Sequence, residues 1–289
     1  MSLNQLFAES ENIRRQFLDN VRKKLGLDSI FASIADMQVP LANSLTEDDS
    51  VIFSKFLADL SGNVEKLGII IASPGGSMRA VDAWLETAYS KVKKLVVIVP
   101  GPAKSAATVL ALGADEIVMG PTSELGPTDP QIPIGGRYTS ANYIIKEYKK
   151  IDETLKANPS SPAAMLLLRN YMPGLLESCE EIIEYSKEIL QKYLSDHLMK
   201  GQSDDNIKQV INYFTDEHKA HEKRISYGVL QHDLPEFSKL ITFLQTNDEK
   251  WKLINNYFSR AFVFLKSQKA AKIIETTDST LTIRAGAPK

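Results

Sequence analysis

The sequence predicts an α/β protein with a mainly parallel sheet that is buried on both faces. Short, continuous apolar runs at 67–72 and 95–99 are each followed by a glycine-containing turn and then by apolar residues at helical spacing. Such runs are typical of strands covered by helices on both sides, and connections of about a dozen residues or more suit parallel pairing. In a sheet of this kind, ligands bind beyond the carboxyl ends of the strands.

The composition excludes several classes of function. Of the 289 residues, 43% are hydrophobic and 24% are charged, the net charge is -2, and the basic residues are spread over the chain. We therefore expect no nucleic-acid partner. The single cysteine, Cys179, cannot form an internal disulfide. Apolar runs reach about six residues, far short of the ~20 that cross a bilayer, and the polar N-terminus is unlike a signal peptide, so we expect a cytoplasmic protein without membrane insertion.

The predicted elements alternate from the N-terminus onward. Apolar residues at helical spacing predict a first helix at 3–25, and we expect its apolar stripe to serve as a lid or an oligomer contact. A strand at 29–37 and a helix that begins after Thr46 and ends near Gly62 come next. Further strands and helices are then predicted at 67–72, 77–92, 94–100, 105–112 and 116–119.

The second half of the sequence is predicted to be rich in helices. The prolines and glycines of 121–131 indicate a loop with a defined path. The tail from Thr276 is polar with one β-like stretch at 280–283, and we expect it to be loosely held. The helices predicted beyond the loop are at 139–156, 163–170, 175–200, 204–214 and 248–268.

Two features that carry chemistry follow successive strands. Gly75 and Gly76 form a tight turn after one strand, and Ser105 begins a helix of small residues after the next. A backbone N–H in the glycine turn and one at the helix start can converge on an oxygen that becomes negative during acyl transfer. The spacing alone also fits an ordinary turn and a capped helix without chemistry.

Three segments resemble the serine dehydrogenase proteinase family, which is itself similar to signal peptide peptidase A and the Clp proteolytic subunit. The likeness is strong over about residues 30–150 and weaker to Leu234. The segments are ASPGGS at 72–77, AKSAA at 103–107 and LGADEIVMGPTSELGPTDPQ at 112–131.

The resemblance implies a Clp protease/crotonase-like fold, a spiral of ββα units, followed by a helix-rich C-terminal half. It implies Ser105 as the nucleophile, an oxyanion hole from the N–H groups of Gly76 and Ala106, and a homo-oligomer that acts on a peptide or protein substrate. We add three residues as substrate-binding: Gly75, Ser77 and Asp129.

These considerations divide the chain into three parts. Residues 1–27 are expected to be an N-terminal helical extension, 28–235 the serine hydrolase domain, and 236–289 a C-terminal helical extension and tail.

The general base is the open point of the resemblance. Clp subunits carry a histidine in the loop after the serine, whereas this loop offers Asp129 and no histidine. Signal peptide peptidase relatives use a lysine from a later segment, which implies one of the lysines of 146–156, with Lys146 and Lys150 preferred. His221 resembles a position that recurs in the family and is the alternative base.

A metal site is the other interpretation of the histidines. His218 and His221 could bind a metal together with Asp216, but such a pair is more typical of an exposed helix. We therefore predict no metal and no cofactor.

Three functions compete at this stage. The first is a serine peptidase or amidase that forms an acyl-enzyme on Ser105 with a lysine or histidine base. The second is a catalytically silent, self-assembling scaffold or partner-binding protein of the same fold, which the missing base supports. The third, ranked last, is a crotonase-like acyl-CoA enzyme, because crotonases generally bring a carboxylate to the reacting carbon.

Overall fold

The computed structural model describes residues 11–39, 42–62, 64–134, 137–216 and 223–284, which form a mixed α/β fold. None of the helices in these residues is both long enough and apolar enough to cross a membrane. The strands are β1 Ser29–Ala35, β2 Val64–Ala72, β3 Val92–Val99, β4 Pro102–Ala103, β5 Glu116–Met119, β6 Glu124–Leu125, β7 Gln131–Ile134, β8 Arg137–Ser140, β9 Ile241–Phe243, β10 Ala270–Glu275 and β11 Thr280–Arg284. The helices are α1 Glu11–Lys24, α2 Glu47–Asp59, α3 Met78–Lys91, α4 Ala106–Leu112, α5 Ala141–Ala157, α6 Pro162–Leu168, α7 Leu175–Asp196, α8 Asp204–Thr215, α9 Tyr227–Asp233, α10 Pro235–Ser238 and α11 Glu249–Gln268.

The central sheet has the strand order β11-β10-β1-β2-β3-β5-β9. The five strands from β1 to β9 in this order pair in parallel, whereas β10 runs antiparallel to β1 and β11 runs antiparallel to β10. The prediction of an α/β fold with a mainly parallel sheet is confirmed. The strands predicted at 67–72, 94–100 and 116–119 are β2, β3 and β5.

Both faces of the sheet are covered, which explains the continuous apolar runs. Successive residues of β2 point to opposite faces, so Ile69 and Ile71 join the apolar cluster under α2, α3 and α4. Ile70 and Ala72 join the cluster on the other face, under α1 and α11. A strand whose two faces are both buried has no polar positions to alternate with the apolar ones.

Part of the first helix is buried inside this chain, although Ile13 of its apolar stripe is 41% exposed, so a role as a lid or an oligomer contact stays a prediction. Leu18 and Val21 are buried in one cluster with Ile254 and other residues of α11. The Arg14 guanidinium forms a buried ion pair with Glu275 of β10, with 2.6 Å between Nη2 and Oε1. The helix α1 therefore packs on the sheet through α11 and β10.

The C-terminal strands were the main omission of the sequence analysis. The expectation of a loosely held tail is wrong as far as Arg284, because β11 pairs with β10 along its length. The strand β10 was not predicted because Lys272 and Glu275 break its apolar pattern; both side chains are buried, each beside a partner of opposite charge. Strands from beyond residue 235 thus add to the sheet that the preceding residues build.

Candidate active site

The site lies where β2 and β3 end, at the same edge of the sheet. These strands are parallel neighbours, so the turns that follow them are adjacent. The Ser73 N–H donates to the Pro102 carbonyl and the Lys104 N–H donates to the Ser73 carbonyl, each at 2.9 Å. These two bonds hold the glycine turn beside Ser105.

Gly75 contacts the segment that carries Ser105. Its φ of +104° lies in the region that favours glycine. A methyl group on Gly75 would lie 2.7 Å from Ser105 Cβ and 2.7 Å from the Lys104 carbonyl oxygen. Any side chain here would therefore displace either the turn or the serine.

Gly76 pairs with Leu45 on the other side of the turn. The Leu45 N–H donates to the Gly75 carbonyl at 2.7 Å, and the Ser77 N–H donates to the Leu45 carbonyl at 2.9 Å. Because its two neighbours make these bonds, the N–H of Gly76 points away from Leu45. A Cβ on Gly76 would lie 2.2 Å from the Leu45 carbonyl oxygen, so the backbone approach requires glycine.

Ser105 has a strained backbone, and the residue is half-buried. Its φ of 51° and ψ of -123° are rare for a residue with a side chain, and a conformation of this kind costs on the order of 1–3 kcal/mol. Ser105 occupies the N-cap position of α4, yet its side chain makes no capping hydrogen bond. No capping bond therefore occupies the hydroxyl, and the adjacent Ala106 N–H belongs to the first turn of α4, where N–H groups have no partner within the helix.

Ser105 opens onto a groove of about 830 Å³, called here the Ser105 groove. Its walls are mainly apolar, and its charged side chains are Glu47 and Arg79. As far as the chain is described, the lining includes no lysine and no histidine. The lining residues are Ser44–Glu47, Pro74–Arg79, Ser105, Thr128, Pro130, Gln131, Tyr138, Ile182, Tyr185 and Ser186.

Ser77 lines this groove but its hydroxyl has partners in the protein. It donates to Glu47 Oε1 at 2.6 Å and accepts from the Ala80 N–H at 3.2 Å as the N-cap of α3. The hydrogen bond from Ser77 lowers the pKa of Glu47 below its usual value. Ser77 therefore has a structural role: it caps the helix α3, which begins directly after the glycine turn.

The loop after β6 contributes Thr128 to the lining of the Ser105 groove, whereas the neighbouring Asp129 does not line it. Thr128 is fully buried, and its hydroxyl has no hydrogen-bond partner within the described residues. The Asp129 carboxylate accepts from Asn142 Nδ2 at 2.8 Å and so ties the loop to the start of α5.

The lysines predicted as bases lie elsewhere in this structure. Lys146 and Lys150 are on α5 and line a second cavity of about 920 Å³ between α5 and α6. The structure does not bring them to the Ser105 groove. Lys104, next to the serine, is 3.3 Å from Glu124 Oε1 and donates to the carbonyls of Leu125 and Lys223.

The predicted base His221 lies outside the described residues, as does His218. The residues that flank this segment are close to the site: the Thr128 N–H donates to the Phe214 carbonyl, and Lys104 Nζ donates to the Lys223 carbonyl. Among the described residues, no three histidine, cysteine, aspartate or glutamate side chains gather as a metal site requires.

Sequence reasoning missed the groove walls that come from distant segments. Leu45 precedes α2, and Ile182 and Tyr185 lie on α7, in stretches without a motif. Thr128 lies in the loop that was singled out, but only the structure distinguishes it from its neighbours. No sequence signal of the kind used above would have found the α7 residues.

Comparisons with known proteins agree with this architecture. A family model for ClpP-like SDH-type serine proteinases matches residues 5–235. Uncharacterized protein MJ1495 of Methanocaldococcus jannaschii is 30% identical over 161 residues, which are 54% of this chain and 53% of the relative. Uncharacterized protein MJ0137 of the same organism is 28% identical over 176 residues, 59% of this chain and 58% of the relative. The chain thus spans little more than half the length of these relatives.

Three solved structures with a partly similar chain path are two mutants of a stomatin-specific protease and a ClpP1 mutant. A mutant of the 1510-N membrane-bound stomatin-specific protease has a TM-score of 0.43 and 16% identity, covering 75% of this chain and 80% of that one. Another mutant of it, in complex with a substrate peptide, has a TM-score of 0.45 and 14% identity over 83% of each chain. A ClpP1 mutant from Listeria monocytogenes has a TM-score of 0.43 and 15% identity, covering 81% of this chain and 98% of that one.

Proposed function

Because the chain belongs to the family of ClpP-like SDH-type serine proteinases, we propose that it is a serine peptidase or amidase that forms an acyl-enzyme on Ser105. The observation that supports this most directly is the geometry of Ser105. A strained backbone, a hydroxyl without a capping bond, and contact with the glycine turn occur together at one residue of a large groove. The family match does not favour the crotonase-like alternative.

The proposed reaction proceeds in two steps. Ser105 Oγ bonds to the carbonyl carbon of a peptide or amide while its proton passes to a general base. The N–H groups of Gly76 and Ala106 stabilise the negative carbonyl oxygen, an effect for which each donor typically contributes ~3 kcal/mol. The base then gives the proton to the leaving amine as the C–N bond breaks, and water releases the acyl group from Ser105.

The general base in this proposal is one of three residues. Lys146 and Lys150 fit the lysine pattern of signal peptide peptidase, but they require a rearrangement of α5 because they line the second cavity. His221 lies outside the described residues, and the support for it is that the carbonyl of Lys223, two residues later, accepts a hydrogen bond from Lys104, next to the serine. The pH dependence of acylation separates a lysine from a histidine.

The groove favours an extended peptide as substrate. Ile182 and Tyr185 of α7 offer apolar walls to a side chain. We therefore propose a peptide or a segment of a protein, bound with an apolar side chain towards α7.

We also propose that the protein is a homo-oligomer. Apolar side chains on α5, on α6 and just after it are at least 38% exposed and form what we call the α5–α6 patch. Exposed apolar side chains gathered in this way usually mark an interface, and closed symmetry is the default for identical subunits. The members of the patch are Tyr143, Met165, Leu166, Leu167, Leu168 and Met172.

A catalytically silent scaffold is the second candidate function. The observation that favours it is the absence of lysine and histidine from the described lining of the Ser105 groove. Incubation with a peptide library followed by mass spectrometry separates the two functions. Cleavage by the protein and its loss in Ser105→Ala support the peptidase; identical peptide profiles for both support the scaffold.

A further inference from the structure

A lysine of β10 is buried beside the candidate active site with all of its hydrogen-bonding capacity used. Lys272 Nζ lies 2.7 Å from Asp49 Oδ1, 2.6 Å from Asp49 Oδ2 and 2.8 Å from the Ser44 carbonyl oxygen. The side chains of Lys272 and Asp49 are only 2% and 1% exposed. Burial of both charges is tolerated because each is paired and hydrogen-bonded.

The two partners of Lys272 lie on either side of Leu45 in the sequence, and Leu45 is the residue that bonds to the glycine turn. Ser44 precedes Leu45, whose backbone bonds to Gly75 and Ser77 at 2.7 and 2.9 Å. Asp49 lies on the first turn of α2, where its Oδ2 also accepts from the Thr46 N–H at 2.8 Å. One ammonium group therefore holds both ends of the segment 44–49, with Leu45 between them.

The position of Lys272 in the sheet explains how it reaches this segment. It pairs with Ala35, the last residue of β1, and the Asp36 N–H donates to the Ala271 carbonyl at 2.8 Å. This is the edge where the parallel strands end and where Ser105 and the glycine turn lie. Lys272 is also outside residues 5–235, the part of the chain that the family model matches.

We propose that Lys272 is a positioning residue for the oxyanion hole: through Ser44 and Asp49 it fixes Leu45, and Leu45 fixes the turn that presents the Gly76 N–H. This inference rests on the proposed function of Ser105. Lys272 does not line the Ser105 groove, so it acts only through the segment 44–49. The C-terminal strand β10 is thereby part of the active-site architecture.

The test compares Lys272→Met with Arg14→Met as a matched control. Arg14 is equally buried at 2%, and its partner Glu275 is also on β10. Within the described part of the chain, neither side chain has a hydrogen bond or ion pair to the segment 44–49. Both variants leave a buried carboxylate without its cation and are destabilised. The two are compared at a temperature at which both are fully folded by circular dichroism.

The first readout is phosphonylation of Ser105 by a fluorophosphonate, in which the Oγ–P bond forms and fluoride leaves, at saturating and subsaturating concentrations. We expect Lys272→Met to lower the maximal rate by about 10- to 100-fold, with the half-saturating concentration nearly unchanged, because a displaced donor affects the transition state. Arg14→Met should stay within about threefold of the wild type. Equal losses in both variants would overturn the proposal, since they would reflect general destabilisation.

The second readout is hydrogen exchange of the Leu45 and Ser77 amides, which needs no activity. We expect exchange at both amides to accelerate about tenfold or more in Lys272→Met and not in Arg14→Met. Unchanged amide exchange in Lys272→Met overturns the positioning role. A wild-type protein whose Ser105 is never labelled by the fluorophosphonate overturns the proposed function, and the exchange readout then remains valid. If Lys272→Met does not fold, Lys272→Met/Asp49→Leu removes both buried charges and is expected to show the same two effects.

Discussion

Gly75 and Ser105 are in such close contact that a methyl group on Gly75 would lie 2.7 Å from Ser105 Cβ. The same methyl group would meet the Lys104 carbonyl oxygen at 2.7 Å. The position of the serine is therefore coupled to the absence of a side chain in the turn. The proposed nucleophile and one side of the proposed oxyanion hole therefore lie together at the ends of two neighbouring strands.

Gly75→Ala should lower the rate at which a fluorophosphonate phosphonylates Ser105 by about 100-fold or more, because the methyl group displaces the serine from the amides proposed to stabilise the oxyanion. Fluorophosphonate labelling followed over time measures this rate. The matched control is Gly174→Ala, at a glycine with φ +79° whose added methyl group would meet nothing within 4 Å. The control variant is also strained at its backbone, but its Ser105 should be labelled at a rate within about threefold of the wild-type rate. If Ser105 is labelled as fast in Gly75→Ala as in the control, the coupling is refuted.

The strained backbone of Ser105 should be visible in stability. Ser105→Gly adopts φ 51° without a clashing Cβ, whereas Ser105→Ala retains the strain. We expect the free energy of unfolding of Ser105→Gly to exceed that of Ser105→Ala by about 1 kcal/mol. Urea denaturation of the two variants measures the difference, and a less stable glycine variant would mean that the conformation is not strained.

The identity of the general base should appear in the pH dependence of acylation. A lysine base accepts a proton only as the neutral amine, so the rate should keep rising above about pH 8. A histidine base should give a plateau that begins at about pH 6 to 7.

The variants that test the three proposed bases are Lys146→Met, Lys150→Met and His221→Gln. One of them should lower the acylation rate by about 10²- to 10⁴-fold. If all three retain the wild-type rate and profile, the base is none of the residues proposed here.

The proposed homo-oligomer should depend on the α5–α6 patch. Leu166 is 65% exposed on α6, and Leu166→Glu places a charge in the proposed interface, so we expect dissociation towards the 32.1 kDa monomer. Light scattering at micromolar concentration measures the mass. Val51→Glu is the control, since Val51 is 68% exposed on α2 and lies outside the patch; a wild-type monomer, or dissociation by the control alone, would contradict the assignment.

The parts of the fold that follow local pattern could be predicted from the sequence. The runs at 67–72 and 95–99 are apolar because both faces of the sheet are covered, and the glycines between Pro74 and Ser77 have a conformation that few other residues adopt. Local pattern therefore located the parallel strands β1, β2, β3 and β5, the turn and the helix after Ser105, whereas the parallel strand β9 was not predicted.

The parts that depend on long-range pairing could not be predicted in this way. Lys272 and Glu275 look like solvated charges in the sequence, and only the three-dimensional structure brings Asp49 and Arg14 to them. The same holds for Leu45, whose role is a backbone contact with Gly76 and leaves no trace in its side chain. The burial of α1 was missed because its partner, α11, is more than 200 residues away along the chain.

The most direct test of the central claim is fluorophosphonate labelling with the modified residue located by peptide mapping. We predict one adduct, on Ser105, because this serine combines a hydroxyl without a capping hydrogen bond, a strained backbone and contact with the glycine turn. Ser73 and Ser77 are close by, but their hydroxyls bond to the Gly75 carbonyl and to Glu47. An adduct on either of them, or full labelling of Ser105→Ala, would contradict the account.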